Sequence, residues 1–463
     1  MDTAVISLSR YILPVFMAFF AFNAFLCAGL KEGERGGAEV MQNIFMVLIH
    51  VTGFFVLFLE QTDQSLLVMC ACQELLFFSV IFVFRYVYPE SSPVIINDMC
   101  VLMSVGFVIL TRISPDKAFR QFLIVTVSCV IGCIVPFFFE RFKAIRRYSM
   151  YFGIAGILLL LLVYAAGAVT NGSRITFTLA GITFQPSEFV KLLFVFFAAG
   201  ELDMSEPEVE PDSPDLLRRL PKWGRILAAS AVAGAHILIL VLSRDLGAAL
   251  IFFVIYCMML YAAIRTPLVL LCSAVLGALA SLVGYRLFSH VRTRVLAWAD
   301  PFSDIDSQGY QITQSLFAIG TGSWFGMGLG KGSPGKIPIV TADFIFSAIS
   351  EEFGTIFSIC LLLVCVGLFL MFMNAAMHNT DPFYRLLALG FAVSYGFQLV
   401  LSVGGVTRFI PLTGVTLPFL SYGGSSVTVS VIMVAVIEGI YSVRNREHGG
   451  QPDQSFYYER SKK

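Results

Sequence analysis

Four stretches of the chain hold residues whose types and spacing could do chemistry. In the run from Thr341 to Glu352, Asp343 comes just before a long apolar segment. Positions 343, 347 and 351 follow a four-residue spacing, so Asp343, Ser347 and Glu351 are expected on one helical face. Glu351 would lie about 12 Å deeper than Asp343. A helix N-terminus favours an ionised carboxylate, the state a general base requires. A cap alone would explain Asp343, but not a polar line running inward to Glu351 and Glu352. The second stretch is Phe184-Gln185-Pro186-Ser187-Glu188-Phe189-Val190-Lys191. Pro186 suits the first turn of a helix, Glu188 suits the dipole there, and Lys191 shares the face of Glu188. This reads either as a capped helix start with a structural ion pair or as a lysine set inside a membrane helix to meet an anionic ligand. The third is Arg244-Asp245-Leu246-Gly247, a short turn in which Asp245 could point inward at the start of its helix. The fourth runs from Gly404 through Arg408 and Pro411 to Ser421 and Ser426. It is a broken stretch whose free N–H groups and hydroxyls could hold phosphate oxygens.

The elements that must position these groups follow from composition. Of 463 residues, 57% are hydrophobic and 13% charged, against about 25% charged in an ordinary soluble domain. Mean hydropathy is +0.82. These values exclude a soluble enzyme and a disordered chain. The balance of 31 basic and 31 acidic residues removes the electrostatic case for nucleic acid. The apolar runs are apolar on every side, unlike the alternating strands of a β-barrel. The expected fold is therefore an all-α polytopic membrane protein. Runs near residues 11–30, 44–60, 66–87, 98–112, 121–139, 150–168, 186–201, 226–243, 245–263, 267–289, 345–374, 383–403 and 423–443 give about thirteen transmembrane helices. The ten cysteines lie inside these runs and read as small hydrophobes.

Three basic clusters then fall on one side, which the positive-inside rule makes cytoplasmic. They are Arg141 to Arg147, Arg218 to Arg225, and the tail from Arg444 to Lys463. The N-terminus would face outside. On the opposite side lies a large loop, 290–342, too long to be structureless in a compact protein. Within it Gln311, Gln314, Ser315 and Ala318 share one helical face and Ile312, Leu316 and Ile319 the other, which suggests a short helix at the membrane surface. The outer side would also hold Arg174, Lys191, Arg286, Arg292, Arg294, Lys331, Lys336 and Arg408, an excess of basic groups that suggests an anionic ligand handled there.

Five stretches in order resemble the SEDS family of shape, elongation, division and sporulation proteins (RodA, FtsW and SpoVE). They are FQPSEFVK at 184–191, DLGAAL at 245–250, the run from Ala299 to Gly330, DFIFSAISEEFG at 343–354, and GGVTRFIPLTGVTLPFLSYGGSS at 404–426. The resemblance implies a ten-helix catalytic membrane core over 98–443, extra N-terminal transmembrane helices over 1–97, and a cytoplasmic tail over 444–463. It further implies a multi-pass protein of the bacterial cytoplasmic membrane. Its activity would be that of a peptidoglycan glycosyltransferase polymerising lipid II at the outer face, for cell-wall elongation, division or sporulation. The implied partners are lipid II, undecaprenyl-pyrophosphate-linked glycan, membrane lipid and a class B penicillin-binding protein, and no nucleic acid.

On the same resemblance Asp343 is the catalytic residue. Lys191, with Arg174 or Arg408, would stabilise the leaving pyrophosphate. Glu188 and Asp245 would orient Lys191 or a divalent cation, Mg or Mn; both readings stand open. Gln185, Gln314, Ser315, Glu351 and Ser421 complete the expected substrate-binding set. A lipid II flippase and a non-catalytic scaffold for a penicillin-binding protein are the alternative functions.

Overall fold

The computed structural model describes residues 2–30, 34–139, 145–170, 173–179, 182–204, 217, 220–305, 307 and 309–447, with side chains from residue 5 onward and outside 168–183. Fifteen α-helices account for most of these residues. The first six are α1 (Asp2–Gly29), α2 (Gly36–Gln61), α3 (Ser65–Tyr86), α4 (Pro93–Ile113), α5 (Pro115–Phe138) and α6 (Ser149–Ala166). A small antiparallel sheet of β1 (Ala168–Thr170), β2 (Ser173–Leu179) and β3 (Ile182–Phe184) follows, with Val169 opposite Arg174 and Phe177 opposite Phe184. Next come α7 (Pro186–Glu201), α8 (Lys222–Leu242), α9 (Leu246–Ile264), α10 (Pro267–Leu287), α11 (Ser289–Ala299) and α12 (Tyr310–Gly322). The chain ends in α13 (Ile345–Met377), α14 (Pro382–Val406) and α15 (Gly424–Glu447). The all-α membrane architecture is as expected; the sheet and α11 are additions to it.

Among the described residues, twelve helices are long and apolar enough to cross a membrane. The remaining expected crossing, α7, has 16 residues, ~24 Å of helix against an apolar core of about 30 Å. It nevertheless runs back along α6 over most of that helix's length. Gly200 abuts Ser149 at one end, Gly153 meets Phe197, and Gly156 meets Val190 further along. Glycine at these three contacts lets the two backbones approach. A short helix can therefore return to the opposite face.

Helix ends sort onto two faces accordingly. On one, Arg446 pairs with Glu90 at 3.5 Å, Arg146 with Asp203 at 3.2 Å, and Arg444 donates to Asn374 at 3.3 Å. The other face carries the sheet, the start of α9, the 290–342 segment and the 407–423 stretch. A membrane-impermeant thiol reagent applied from outside is expected to label Ser307→Cys and to miss Thr266→Cys on a cysteine-free background. The reverse pattern would overturn the orientation.

At the centre stands α4, whose membrane-crossing window is buried along its whole length, while α10 buries none of its residues. The 407–423 stretch leaves helical geometry altogether, and its inner end is packed away: Leu417 and Leu420 are no more than 1% exposed. Irregular backbone at such depth must be buried in protein, with its polar groups satisfied there. Gly106 of α4 makes the close approach possible. A Cβ at that position would stand 3.0 Å from the carbonyl oxygens of Phe419 and Leu420.

Helix α13 is two pieces, because Gly354 sits at φ 86°, ψ 172°. The segment 323–328 wraps this break: Thr355 N–H donates to Ser323 O and Met327 N–H to Glu351 O. A side chain at Gly354 would collide with the backbone of Phe325 and Gly326.

Candidate active site

Asp343 stands two residues ahead of α13 and does not cap it; Phe344 occupies the cap position and no side-chain bond closes that end. The expectation of a capping carboxylate is corrected here. Asp343 instead faces Arg294 of α11 across Gly414 of the re-entrant stretch. A Cβ on Gly414, which lies at φ 77°, would be 3.6 Å from Asp343 Oδ2 and 3.7 Å from Arg294 Nη2. Glycine keeps that space open. Arg294 is held by a 3.0 Å bond from Nη1 to Thr413 O. Asp343 itself accepts no hydrogen bond among the described residues. Burial pushes its carboxyl up to about 6, and the Arg294 charge pulls it back. At neutral pH it is thus mostly ionised yet close to a proton-accepting balance, as suits a general base.

The backbone around Asp343 is fixed from two sides. Tyr422 N–H donates to Thr341 O at 2.7 Å, and Ser421 Oγ donates to Ala342 O at 2.5 Å. From α5, Lys117 Nζ donates to Thr341 Oγ1 at 3.1 Å and lies over the Tyr422 ring. Gln121 completes the clamp, donating to Ser421 O at 3.2 Å and accepting from Gly423 N–H at 3.3 Å. Ser421 is therefore engaged in holding the Asp343 strand.

A second polar cluster lies on the other side of residues 413–416. Lys191 Nζ donates to Glu188 Oε2 at 2.9 Å and to Gln398 Oε1 at 2.8 Å. An ammonium has three N–H donors, and among the described residues the third has no partner. Gln398 passes the contact on, donating to Thr416 O at 3.0 Å. Asp245 caps α9 through Ala248 N–H and accepts from Ser187 Oγ at 3.1 Å and Gln185 Nε2 at 3.4 Å. Gly247 packs on Thr413 O and Val415. The short segment 413–416 thus touches the Asp343–Arg294 pair on one flank and the Lys191 and Asp245 clusters on the other.

Glu188 and Asp245 are the carboxylates that would hold an Mg or Mn ion, together with substrate oxygens. Glu188 accepts from Lys191, both Asp245 oxygens accept from N–H or O–H donors, and no group of three His, Cys, Asp or Glu gathers among the described residues.

Other expected site residues are placed elsewhere. Arg408 donates to the carbonyls of Trp298 at 2.9 Å and Ala299 at 2.6 Å, closing the end of α11. Ser315 is fully buried, bonded to Ser347 at 2.6 Å and Val406 O at 2.8 Å. The surface-helix expectation is corrected with it: α12 buries Ile312, Ser315 and Ala318 together, because small residues let it lie on the start of α13. Gln314 is half-buried on the same helix. Glu351 and Glu352 do not line a path inward; they secure the loop around the Gly354 break. Glu351 accepts from Ser333 N–H at 2.9 Å, and Glu352 pairs with Arg112 at 3.2 Å. The side chain of Arg174 lies outside the described residues.

Four residues outside the expected set complete the arrangement. Arg294 belonged to the outer basic excess without a role and Gln121 to a stretch, 102–121, that resembles the family's first core helix, while Lys117 and Gln398 carry no motif. A glutamine inside an apolar run was the available signal for Gln398. The pH dependence of the initial rate tests the Arg294 contact. The rate should rise with pH through a midpoint of about 6 and then level off, since the base works when ionised. Arg294→Ala should move that midpoint upward, because removing a nearby positive charge favours the neutral acid. An unchanged midpoint would disconnect the two groups.

Known proteins share this arrangement's sequence frame. The model of the FtsW/RodA/SpoVE family of cell cycle proteins matches residues 90–446. The chain is 33% identical over 379 residues to a peptidoglycan glycosyltransferase RodA of Mycobacterium bovis, covering 79% of this chain and 81% of that one. It is 32% identical over 322 residues to a probable peptidoglycan glycosyltransferase FtsW of Geobacter metallireducens, covering 67% and 82%. A solved structure described under structural coordination of polymerization and crosslinking by a peptidoglycan synthase complex aligns at TM-score 0.62 and 25% identity, covering 76% of this chain and 98% of that one. The crystal structure of rod shape determining protein RodA of Thermus thermophilus shares the fold at TM-score 0.54 and 23% identity, with 76% and 97% covered. A polytopic bundle of this topology, matched along most of its length, makes the chain a member of the FtsW/RodA/SpoVE family of cell cycle proteins.

Proposed function

We propose that this multi-pass membrane protein is a peptidoglycan glycosyltransferase that polymerises lipid II at the outer face of the bacterial cytoplasmic membrane. The observation that carries the chemistry is a half-buried carboxylate, Asp343, with no hydrogen bond among the described residues and an arginine across an open glycine. In the reaction the 4-hydroxyl of an acceptor sugar forms a bond to the anomeric carbon of the growing chain. The bond from that carbon to undecaprenyl pyrophosphate breaks, and the hydroxyl proton passes to Asp343. An α-linked donor then gives a β-linked product in one inverting displacement.

The leaving pyrophosphate gains charge as its bond breaks, so cations placed before the event lower the barrier. Arg294 is the exposed cation beside Asp343, and Lys191 is the buried one beneath residues 413–416. Glu188 and Gln398 orient Lys191. Residues 98–443 form the catalytic core in this reading, and residues 1–97 are an accessory helical layer. Likeness to a synthase complex that coordinates polymerization and crosslinking supports a cross-linking partner, here a class B penicillin-binding protein. The test is polymerisation of purified lipid II by the purified chain, alone and with that partner. Glycan strands are expected; their absence in both arms would favour a flippase or a scaffold.

A further inference from the structure

On the face bearing the basic clusters, a cavity of about 490 Å³ lies where α1 and α2 meet the ends of α4, α13 and α15. It is far larger than the share of about 30 Å³ that one water needs, and it is remote from Asp343. Its polar wall holds several oxygens that no donor reaches. Asp98 of α4, 1% exposed, leaves Oδ2 without a partner, its other oxygen accepting from Gln42 Nε2 at 3.4 Å. In the turn before α4, Ser92 Oγ is also unpartnered, as is Oε2 of Glu90, whose other oxygen pairs with Arg446 at 3.5 Å. Across from Asp98, Gly367 of α13 leaves a gap: a Cβ there would meet nothing within 4 Å except Asp98 Oδ2 at 3.8 Å. Two guanidiniums line it: Arg444 of α15, which donates to Asn374 and Asn445, and Arg35 of the α1–α2 turn. The remaining wall is largely apolar and reaches the lipid-facing surface through Phe25, Leu370 and Met377, which are 39%, 49% and 62% exposed.

Buried acceptors without donors are costly and call for a ligand that brings N–H groups. A primary ammonium brings three. Arg35 calls for an anion on the same ligand, and the apolar exit calls for hydrocarbon chains. We propose that this cavity binds a phospholipid with a primary-ammonium head group, phosphatidylethanolamine, from the adjacent leaflet. Its ammonium meets Asp98 and Glu90, its phosphate meets Arg35, and its chains leave past Phe25 and Leu370. The site exists only because α1 and α2 pack on the core, which gives the added helices a role as one wall of a lipid site.

The full-length chain, delipidated in detergent, is titrated with phosphatidylethanolamine, phosphatidylcholine or phosphatidylglycerol, and retained lipid is read by native mass spectrometry. Phosphatidylethanolamine should be retained about tenfold more tightly than the choline lipid, whose head group has no N–H donors. Asp98→Asn should remove about that tenfold preference, and Gly367→Leu should exclude the lipid by filling the gap. Leu279→Ala on exposed α10 should change neither. Equal retention of the ethanolamine and choline lipids overturns the proposal, as does full preference in Asp98→Asn. If Asp98→Asn does not fold, Gly367→Leu decides: unchanged retention of phosphatidylethanolamine overturns it. Displacement of the lipid by spermidine at equal concentration would assign the cavity to a soluble polyamine instead and would also overturn it.

Discussion

Asp343→Asn is expected to abolish polymerisation of lipid II by the purified chain while leaving its fold and partner association intact. The fold should survive because Asp343 makes no hydrogen bond among the described residues, so a nearly isosteric amide leaves no donor stranded. The clamp that shapes its backbone, from Ser421, Tyr422 and Lys117, acts on Thr341 and Ala342 rather than on the carboxylate. The activity should not survive, because an amide cannot take the acceptor's proton. Loss of a general base costs about 10²–10⁴-fold. Initial rates of glycan synthesis at pH 7.5, with melting temperature as the control for fold, decide it. A scaffold would lose neither property, and a flippase would show no polymerisation even as wild type. Near-wild-type synthesis by Asp343→Asn would remove the base from the mechanism.

The buried Lys191–Glu188 pair gives the second large effect. Removing one partner leaves the other charge buried, which costs about 3–5 kcal/mol and could unfold the chain for reasons unrelated to catalysis. The informative variant is therefore the double change Glu188→Gln with Lys191→Met, which removes both charges and keeps similar volume. Such replacements are often neutral for stability. The double variant should melt close to wild type and lose about 10²–10³-fold in rate, the scale of one lost electrostatic stabiliser. Lys191→Arg should recover only part, since a planar fork cannot reproduce the contacts to both Glu188 and Gln398. Lys222→Ala, at the start of α8 on the opposite face, should leave the rate unchanged. A fully active double variant would show that the pair only closes the helix start.

Asp343, Lys191, Glu188, Asp245 and Gln185 were legible in the sequence because each combines a costly polar type with a helix start beside an apolar run. Local rules of that kind also located the crossings, since hydrocarbon admits little besides helices. Two buried residues within the crossings show where local reading stops. Glu438 had no local reason in α15. In the fold its carboxylate accepts the Ser92 N–H at 2.7 Å, so it caps α4 from a distant part of the chain. His236 of α8 is packed among Phe194, Phe197 and Phe252, with its ring bonded to Val232 O at 2.9 Å.

What the sequence determined by itself was the membrane class, the order of the spans and the residues with unusual electrostatic cost, all of which depend on neighbours a few positions away. Tertiary structure alone decided which of those residues work together. The Gly354 break, which helical spacing does not reveal, brings the 323–328 segment around α13, where Glu351 and Glu352 bond to Ser333 and Arg112, because a positive-φ glycine redirects the chain whatever the hydrophobicity around it. Arg294, Lys117 and Gln398 reached the site from 49 residues before Asp343, from α5 and from α14. Such pairings are set by how helices stack, and no local spacing encodes them.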